Sequence, residues 1–529
     1  MISRRQFLSL SQMLGLSVLF QSCDGKKEIP GGIVGANAAV GHRLRTMDFA
    51  PIAEYKQVDV VIVGGGVAGL SAARFLKKYT SNFFLLEMDS DVGGNARSGI
   101  NNISKFPWGA HYLPIPGNTD PELNSFLQEC NVITGYKNGL PVYNEYYLCH
   151  DPKERLFINH FWQEGIVPHE GVPKKDREEI QRFLELMYGY KMKTGNDYKP
   201  AFSIPVELSS RDTDLIRLDS LTAVEFLSNH NLKSPYLHWY VNYCCADDFG
   251  SSISETSAWA MIHYFASRKA KAANASSESV LTWPEGNQWL INKMKLKVKE
   301  QIVANALVYG VKRSNDGVVC SYFDVSQNVS VQVSAKAVIM ATPQFINERV
   351  LQDVTRDVDI KSFEYAPWMV ANISTRHSLE ERKGEPLCWD NVIYGSDALG
   401  YVNATHQNIG IPSEKKVITY YKPLLNKSVS LARKQAYTAS FDDWKNFIFK
   451  DLQKPHPDLR KYVDEINVWI WGHGMIKPAP NFVWSKGLLR ANQNIGNKIF
   501  FAHSDLSGVS IFEEAFYQGR KAVEMLMES

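Results

Sequence analysis

Three glycines are spaced to hold phosphate: Gly64, Gly66 and Gly69 in the run Gly64-Gly65-Gly66-Val67-Ala68-Gly69. Backbone N–H groups grip a phosphate only if the chain comes close to it, and glycine leaves that room. Gly64 permits a tight turn, Gly66 a close approach to a diphosphate, and Gly69 the packing of a helix on the preceding strand. Val67 and Ala68 belong to the same turn, just before that helix, whose free N–H groups and positive dipole end favour an anion. Glu87 stands 23 residues after Gly64, close to the separation of about 20 at which a carboxylate meets a ribose hydroxyl. The residues read together as a dinucleotide site.

The motif means little without the elements that must carry it. Val58-Asp59-Val60-Val61-Ile62-Val63 is β-branched and almost wholly apolar, as a buried parallel strand is. A helix pattern runs from Leu70 to Lys78, and a second strand, Phe83–Leu86, ends at Glu87. The order is strand, glycine turn, helix, strand, acid. The alternative, a glycine-rich turn of another α/β protein, loses to that conjunction.

The next segment, Asp91-Val92-Gly93-Gly94-Asn95-Ala96-Arg97-Ser98, resembles the second signature of the flavin-containing amine oxidase and phytoene desaturase superfamily. The resemblance implies FAD. Gly93, Gly94, Asn95 and Ala96 would then lie along the cofactor diphosphate and ribityl chain, and Arg97 would add charge to the phosphates. Asn95 stands where the family more commonly has Arg. The C-terminus matches too: a strand Lys498–Ala502, then Asp505, then Gly508-Val509-Ser510, then a helix from about Ile511 to Met527. By resemblance Asp505 meets the ribityl or diphosphate region, while Gly508, Val509 and Ser510 lie beside the flavin ring. Val308 takes the adenine contact, and Lys336–Pro343 returns the chain to the FAD domain.

The implied fold is α/β: a Rossmann-like FAD-binding domain with a parallel sheet, interrupted by a mixed α+β substrate-binding domain. Residues 57–115, 280–345 and 485–529 would form the first domain, and 116–279 and 346–484 the second. In the second, helix patterns run over Lys175–Lys193 and Ser220–His230, and Tyr143–Asn159 reads as a hairpin around Asp151-Pro152-Lys153-Glu154. The chain's 529 residues exceed what one core supports.

Flavin chemistry asks little of side chains, so catalytic residues are hard to read. The best candidate is His111 in Phe106-Pro107-Trp108-Gly109-Ala110-His111-Tyr112, a base or positioning group that should run along the flavin. Trp283 and Trp471 could wall an apolar cavity or simply pack; His473 and His503 are weaker candidates. Many amine oxidases carry a lysine in the segment that matches Tyr365–Asn372, and none stands there. That argues against amine oxidation with oxygen as acceptor.

Other classes find no support. A net charge of +2 gives no electrostatic reason to seek nucleic acid, and no C-x-x-C, H-E-x-x-H or G-x-S-x-G occurs. The N-terminus reads as an address. Arg4-Arg5 before the apolar stretch Phe7–Phe20 looks like a twin-arginine export signal, and Cys23 resembles a lipoprotein acylation site. Residues 1–23 would then be the signal and 24–56 a tether, broken by Gly31, Gly32, Gly35 and Gly41 and carrying a basic patch at His42–Arg45. The expectation is a periplasmic or cell-envelope protein, exported folded by the twin-arginine translocase and lipid-anchored if Cys23 is acylated. It would take hydride from an amine or a C–C bond onto FAD. Oxygen, a quinone or a protein could accept the electrons. A flavin-dependent isomerase and a non-catalytic flavoprotein of an envelope assembly are the alternatives.

Overall fold

Two sheets organise the molecule, and each draws its strands from distant parts of the chain. They are described from a computed structural model covering residues 28–529 except 36, 380–381, 411–412 and 426–427. The export and acylation motifs therefore lie outside the described residues. Among the described residues no helix is long and apolar enough to cross a membrane.

The first sheet contains β2 (Ile52–Val63), β3 (Phe83–Leu86), β6 (Ile302–Val303), β7 (Ala306–Ser314), β8 (Gly317–Asp324), β9 (Val329–Met340) and β15 (Ile499–Phe501). Its order is β6-β3-β2-β9-β8-β7, and β15 pairs with the C-terminal end of β9. The strands β6, β3, β2, β9 and β15 run parallel, as Val61, Ile62, Leu85, Val338 and Ile339, buried on both faces, require. Helix α1 (Val67–Leu76) packs on this sheet between α6 (Gln288–Val298) and α10 (Phe512–Met527).

The second sheet has the order β1-β14-β10-β13-β12-β11-β4-β5. These strands are Gly31–Gly35, Val463–Ile476, Tyr365–Thr375, Lys416–Pro423, Gly400–Asn403, Asp390–Ile393, Glu154–Ile158 and Phe161–Glu164. Helices α2 (Lys174–Met192), α3 (Ala223–Asn229), α4 (Pro235–Phe249) and α5 (Ala258–Ala266) form a layer beside it. The helices read at 175–193 and 220–230 are thus α2 and α3, and Thr222 closes a capping box with Glu225 at the start of α3.

Two local readings are corrected. The 24–56 stretch is no plain tether where it is described. β1 pairs in parallel with β14 through Gly31↔Ile466 and Ile33↔Val468, and β2 begins at Ile52 because its exposed half pairs with β9. The glycines permit the strand rather than break it. A Cβ on Gly31 would sit 1.7 Å from the Ile466 carbonyl oxygen, and one on Gly35 2.2 Å from the Trp469 ring. Gly31→Val is therefore expected to detach β1 at a cost of about 1–3 kcal/mol, read as a lower thermal midpoint. Nor is 143–159 a hairpin: Glu154–Ile158 pairs with the following strand Phe161–Glu164. The turn sits at Asn159-His160, both at positive φ (50° and 62°).

Candidate functional site

The parallel register gathers the separated motifs at one edge. Met340 lies opposite Val63 on one side and Phe501 on the other. Ala341 N–H donates to the Val63 carbonyl at 2.8 Å, and Ala502 N–H to Met340 at 2.9 Å. The turn at Gly64, the Ala341-Thr342-Pro343 segment and the run to Asp505 thus leave neighbouring strand ends. Ligands of α/β sheets bind at such carboxyl ends.

Each glycine of the turn has its own duty. Gly64 has φ 102°, and a Cβ on it would meet the Ala341 carbonyl oxygen at 2.6 Å. A Cβ on Gly69 would lie 1.8 Å from the Gly64 oxygen, so only glycine lets α1 start this close to the strand. Gly66 has nothing within 4 Å of its missing Cβ. Its face is open toward the space before α1. That helix has no capping side chain and no acid in its first turn, although Ala68, Gly69 and Leu70 are buried. A buried helix start without donors satisfied calls for an anion. Glu87 completes this end: its carboxylate accepts Gly65 N–H at 2.7 Å and Asp89 N–H at 2.9 Å. Burial pushes its pKa up to about 7 against the pull of those two N–H groups. These residues fit an adenine dinucleotide, with Glu87 at the ribose and α1 at the diphosphate.

Gly93 and Gly94, at φ 142° and 53°, bring the second signature onto the turn, and the Cβ position of Gly94 is 3.2 Å from the Gly66 Cα. Asn95 donates its amide to the Gly474 carbonyl, and Ala96 is buried. Arg97 is engaged elsewhere than the sequence suggests: it pairs with Asp89 at 2.9 Å and donates to the Asp91 carbonyl at 2.8 Å. Val308 is buried on β7 opposite Tyr322, on the strand that follows Ala306, whose N–H donates to the Glu87 carbonyl at 2.7 Å. Asp505 is fully buried and accepts the Tyr365 hydroxyl at 2.5 Å and Gln344 N–H at 2.9 Å. Burial works against its charge, but His503, 3.1 Å away, and those donors hold its pKa below the usual carboxylate value. Gly508 takes φ 78°, Val509 packs into the α4–α5 layer, and the Ser510 hydroxyl accepts Ile476 N–H at 3.0 Å.

Beyond Asn95 and Ser510 opens a cavity of 160 Å³ that continues into a wider one of 680 Å³. The 106–112 segment forms a wall of it and is pinned by bonds from several elements. Trp108 N–H donates to Arg97, the Tyr421 hydroxyl to Gly109, Thr282 to the His111 carbonyl and Asn287 to the Tyr112 carbonyl, all within 2.9 Å. His111 therefore faces the cavity, its ring stacked 4.7 Å from Tyr421. Burial lowers its pKa to about 4. It stays a neutral ring at physiological pH and is a poor proton acceptor, which leaves it positioning rather than base work. Trp471 lines the cavity and donates to the Trp108 carbonyl at 2.6 Å. Trp283 does not reach it and stacks on Trp289 in the core, with centroids 4.8 Å apart. His473 stacks on Phe345 outside it. The start of α10, with Ile511 and no capping side chain, also points into the cavity.

The chief groups missed in the sequence are Asp247 and Asp248. They occupy the last turn of α4, before Gly250 in the left-handed conformation. Acids there oppose the helix dipole, and that misplacement was the available signal. Burial raises the Asp247 pKa to about 7, helped by Asp248 and opposed by Arg268; burial likewise raises Asp248 to about 6. Arg268 pairs with Glu513 of α10 at 2.8 Å. Farther along, burial and the neighbouring Glu154 and Asp247 push Asp390 well above the carboxylate range. Tyr112, Tyr243, Tyr264, Trp389 and Tyr421 stand among these acids.

A profile described as NAD(P)-binding Rossmann-like domain matches residues 62–130. Flavin-containing amine oxidase A of Sus scrofa is 42% identical over 57 residues, 11% of this chain and 11% of that protein. Thiamine thiazole synthase of Pyrobaculum aerophilum is 36% identical over 78 residues, 15% of this chain and 28% of that one. The chain thus spans 28% or less of these curated relatives. Solved structures match far more of it. Putrescine oxidase bound to putrescine is 14% identical and superposes with a TM-score of 0.61, over 90% of this chain and all of that one. Cyclohexylamine oxidase from Brevibacterium oxydans IH-35A is 12% identical, with a TM-score of 0.62 over 89% of this chain and 99% of that one. The fatty acid isomerase of P. acnes is 14% identical, with a TM-score of 0.57 over 88% and 98%. The chain has the flavin amine oxidase fold. Its Rossmann-like region corresponds to the dinucleotide-binding part of that fold, and the larger mixed α+β region supplies most of the cavity wall.

Proposed function

We propose that the protein is an FAD-dependent oxidoreductase that takes hydride from the carbon beside the nitrogen of a cationic amine. The observation that carries this reading is the Asp247–Asp248 pair in an aromatic cavity, directly beyond the dinucleotide site. Carboxylates and aromatic faces are what a desolvated ammonium group needs. Putrescine oxidase and cyclohexylamine oxidase, by name, act on amines, and both share the fold.

When bound, the flavin supplies the hydride-accepting, two-electron chemistry. The chain supplies the rest. Tyr112, Tyr421 and Trp368 exclude water and confine the substrate, while His111 fixes one wall as a neutral ring. A reacting amine must lose a proton as its carbon loses hydride, giving an imine. Asp247 and Asp248, with pKa values of about 7 and 6, are matched to take a proton near neutral pH. Asp390 and Glu154, in the wider chamber, suit a second ammonium group, which favours diamines over monoamines.

The isomerase alternative, which the fatty acid isomerase fold match keeps open, needs a cation for a carboxylate. Arg268 is the cation in the narrow cavity, and Glu513 already neutralises it at 2.8 Å. The amine reading is therefore preferred. Export by the twin-arginine route to the cell envelope, with a lipid on Cys23, completes the proposal and rests on the N-terminal sequence alone.

The test is an absorption spectrum and cofactor extraction, then anaerobic mixing with aliphatic diamines, monoamines and a neutral polyene. FAD is expected, bleached by diamines fastest. A preparation that takes up no flavin, or a flavin bleached by none of them, ends the reading. The latter result would favour a non-catalytic flavoprotein.

A further inference from the structure

Trp471 also lines a second cleft, of 840 Å³, whose walls follow the cofactor residues closely. Met88 and Asp89 come directly after Glu87. Phe345 follows Gln344, and Tyr365 donates to Asp505. Gly472 and His473 precede Gly474, whose carbonyl takes the Asn95 amide. The cleft therefore runs beside the ribose acid, the buried Asp505 and the mouth of the catalytic cavity.

Its remaining wall comes from the segment before the first Rossmann strand. Two helical turns, Ala38–Gly41 and Arg43–Thr46, lie against it. Leu44 anchors them, buried in one cluster with Leu86, Phe363 and Tyr365. Gly41 sits on Met88, its missing Cβ 3.4 Å from the sulfur, and His42 meets Tyr437 of α8 (Val429–Thr438) edge-on at 6.2 Å. One short segment thus touches both the Rossmann-like region and the cavity-walling region.

The cleft is rich in cations. Arg45 comes from this segment, Arg349 from α7 (Gln344–Val350), Arg433 from α8 and Lys361 from the loop between. Of the three acids lining it, Asp89 pairs with Arg97 at 2.9 Å and Glu364 lies 3.7 Å from Lys477. His473 registers the resulting field: burial first, then Arg433, His42, Arg45 and Arg349, bring its pKa down to about 3. Arg433 is itself fixed by donating to the Gly472 carbonyl at 2.7 Å. A concave field of this sign selects an anion. The one cation that the sequence offered to the cofactor phosphates, Arg97, is committed to Asp89.

We propose that residues 37–46 form a strap closing the cofactor cleft, and that Arg45, with Arg433 opposite, holds the diphosphate of the flavin adenine dinucleotide. The proposal rests on the flavin reading above. It gives the basic patch at 42–45 a task in cofactor retention, for which α1 and Glu87 supply the inner half of the site.

The test compares full-length wild type, Arg45→Gln and Arg45→Lys as purified holoproteins. The readout is the rate at which FAD leaves after dilution, followed by the recovery of free-flavin fluorescence at low and high salt. Arg45→Gln is expected to release FAD about tenfold faster, the loss of one charge-assisted phosphate contact. Arg45→Lys is expected to stay near wild type, which also guards against misfolding. Salt is expected to speed release from wild type more than from Arg45→Gln. Equal release from all three overturns the strap alone. So does Arg45-dependent binding of ADP or inorganic pyrophosphate to the FAD-loaded protein, which would mark a separate anion site. A wild type that holds no FAD and takes up none overturns the flavin reading and the strap with it.

Discussion

Gly69→Ala is expected to destabilise the fold severely, whereas Gly66→Ala should leave the fold and weaken its hold on flavin. The two positions differ only in what a methyl group would meet. At Gly69 the methyl carbon would sit 1.8 Å from the Gly64 carbonyl oxygen and 3.4 Å from the Ala341 Cβ. Both neighbours lie in the turn and strand end that define the site, so neither yields cheaply. Overpacking of a rigid core typically costs about 1–3 kcal/mol, and a backbone clash belongs at or above the upper end. That is a large share of the roughly 5–15 kcal/mol that holds a domain together. At Gly66 the methyl would enter open space, and the backbone there, φ −73° and ψ −172°, suits alanine. The fold should lose less than about 1 kcal/mol, the usual penalty for alanine at a helix N-cap. The methyl would nevertheless stand where a diphosphate has to touch the backbone, so FAD affinity should fall at least about tenfold, roughly 1.4 kcal/mol. Thermal unfolding and flavin content of the two purified variants separate the outcomes. A Gly66→Ala protein that binds FAD like wild type would mean that the anion lies elsewhere.

That contrast also explains what the sequence could reveal. The strand–turn–helix unit is legible because its logic is local: the β-branched run, the three glycines and Glu87 lie within one stretch of chain. The 106–112 segment was legible at one remove, because it follows Gly93-Gly94 directly. Pairing between distant strands was not. Gly31–Gly35 has strand formers only at Ile33 and Val34 among three glycines, and becomes a strand because β14 offers a partner that Gly31 and Gly35 let approach closely. The 143–159 stretch carried turn residues at Asp151-Pro152, yet the reversal falls at Asn159-His160, where the partner strand follows. The acids of the cavity were hidden for the same reason. Asp247 and Asp248 look like a solvated helix end until α4 is seen to point that end at Tyr112 and Arg268. Arg97 was read by motif position, and the nearby Asp89 claims it instead.

Asp247→Asn should lower kcat/KM for a diamine by roughly 30- to 1,000-fold, the equivalent of about 2–4 kcal/mol for removing one partner of a desolvated charge pair. A neutral substrate of the same length should be nearly unaffected. The pH dependence supplies a sharper signature. Wild-type Asp247 and Asp248 gain their charges only as pH rises through about 6 to 7. The KM for the diamine should therefore fall between roughly pH 5.5 and 7.5, as the pair titrates together, and the variant should show a flatter profile. Stability should move the other way. The folded-state pKa of Asp247 lies above its unfolded value, so the group favours the fold most at low pH, and that contribution is lost as pH rises through about 7. The asparagine variant has no such loss. Its thermal midpoint should pull ahead of wild type as pH rises from about 4 to about 7 and keep that lead above it, while its turnover of diamines falls behind. Bound diamine should narrow that gap, because an ammonium group beside the carboxylate offsets the cost of the buried charge and releases a proton on binding near pH 6.5. Calorimetric titration in buffers of different ionisation enthalpy measures that proton. A wild type that binds diamines without releasing it, with a flat KM across this range, would remove Asp247 from the recognition of the substrate charge.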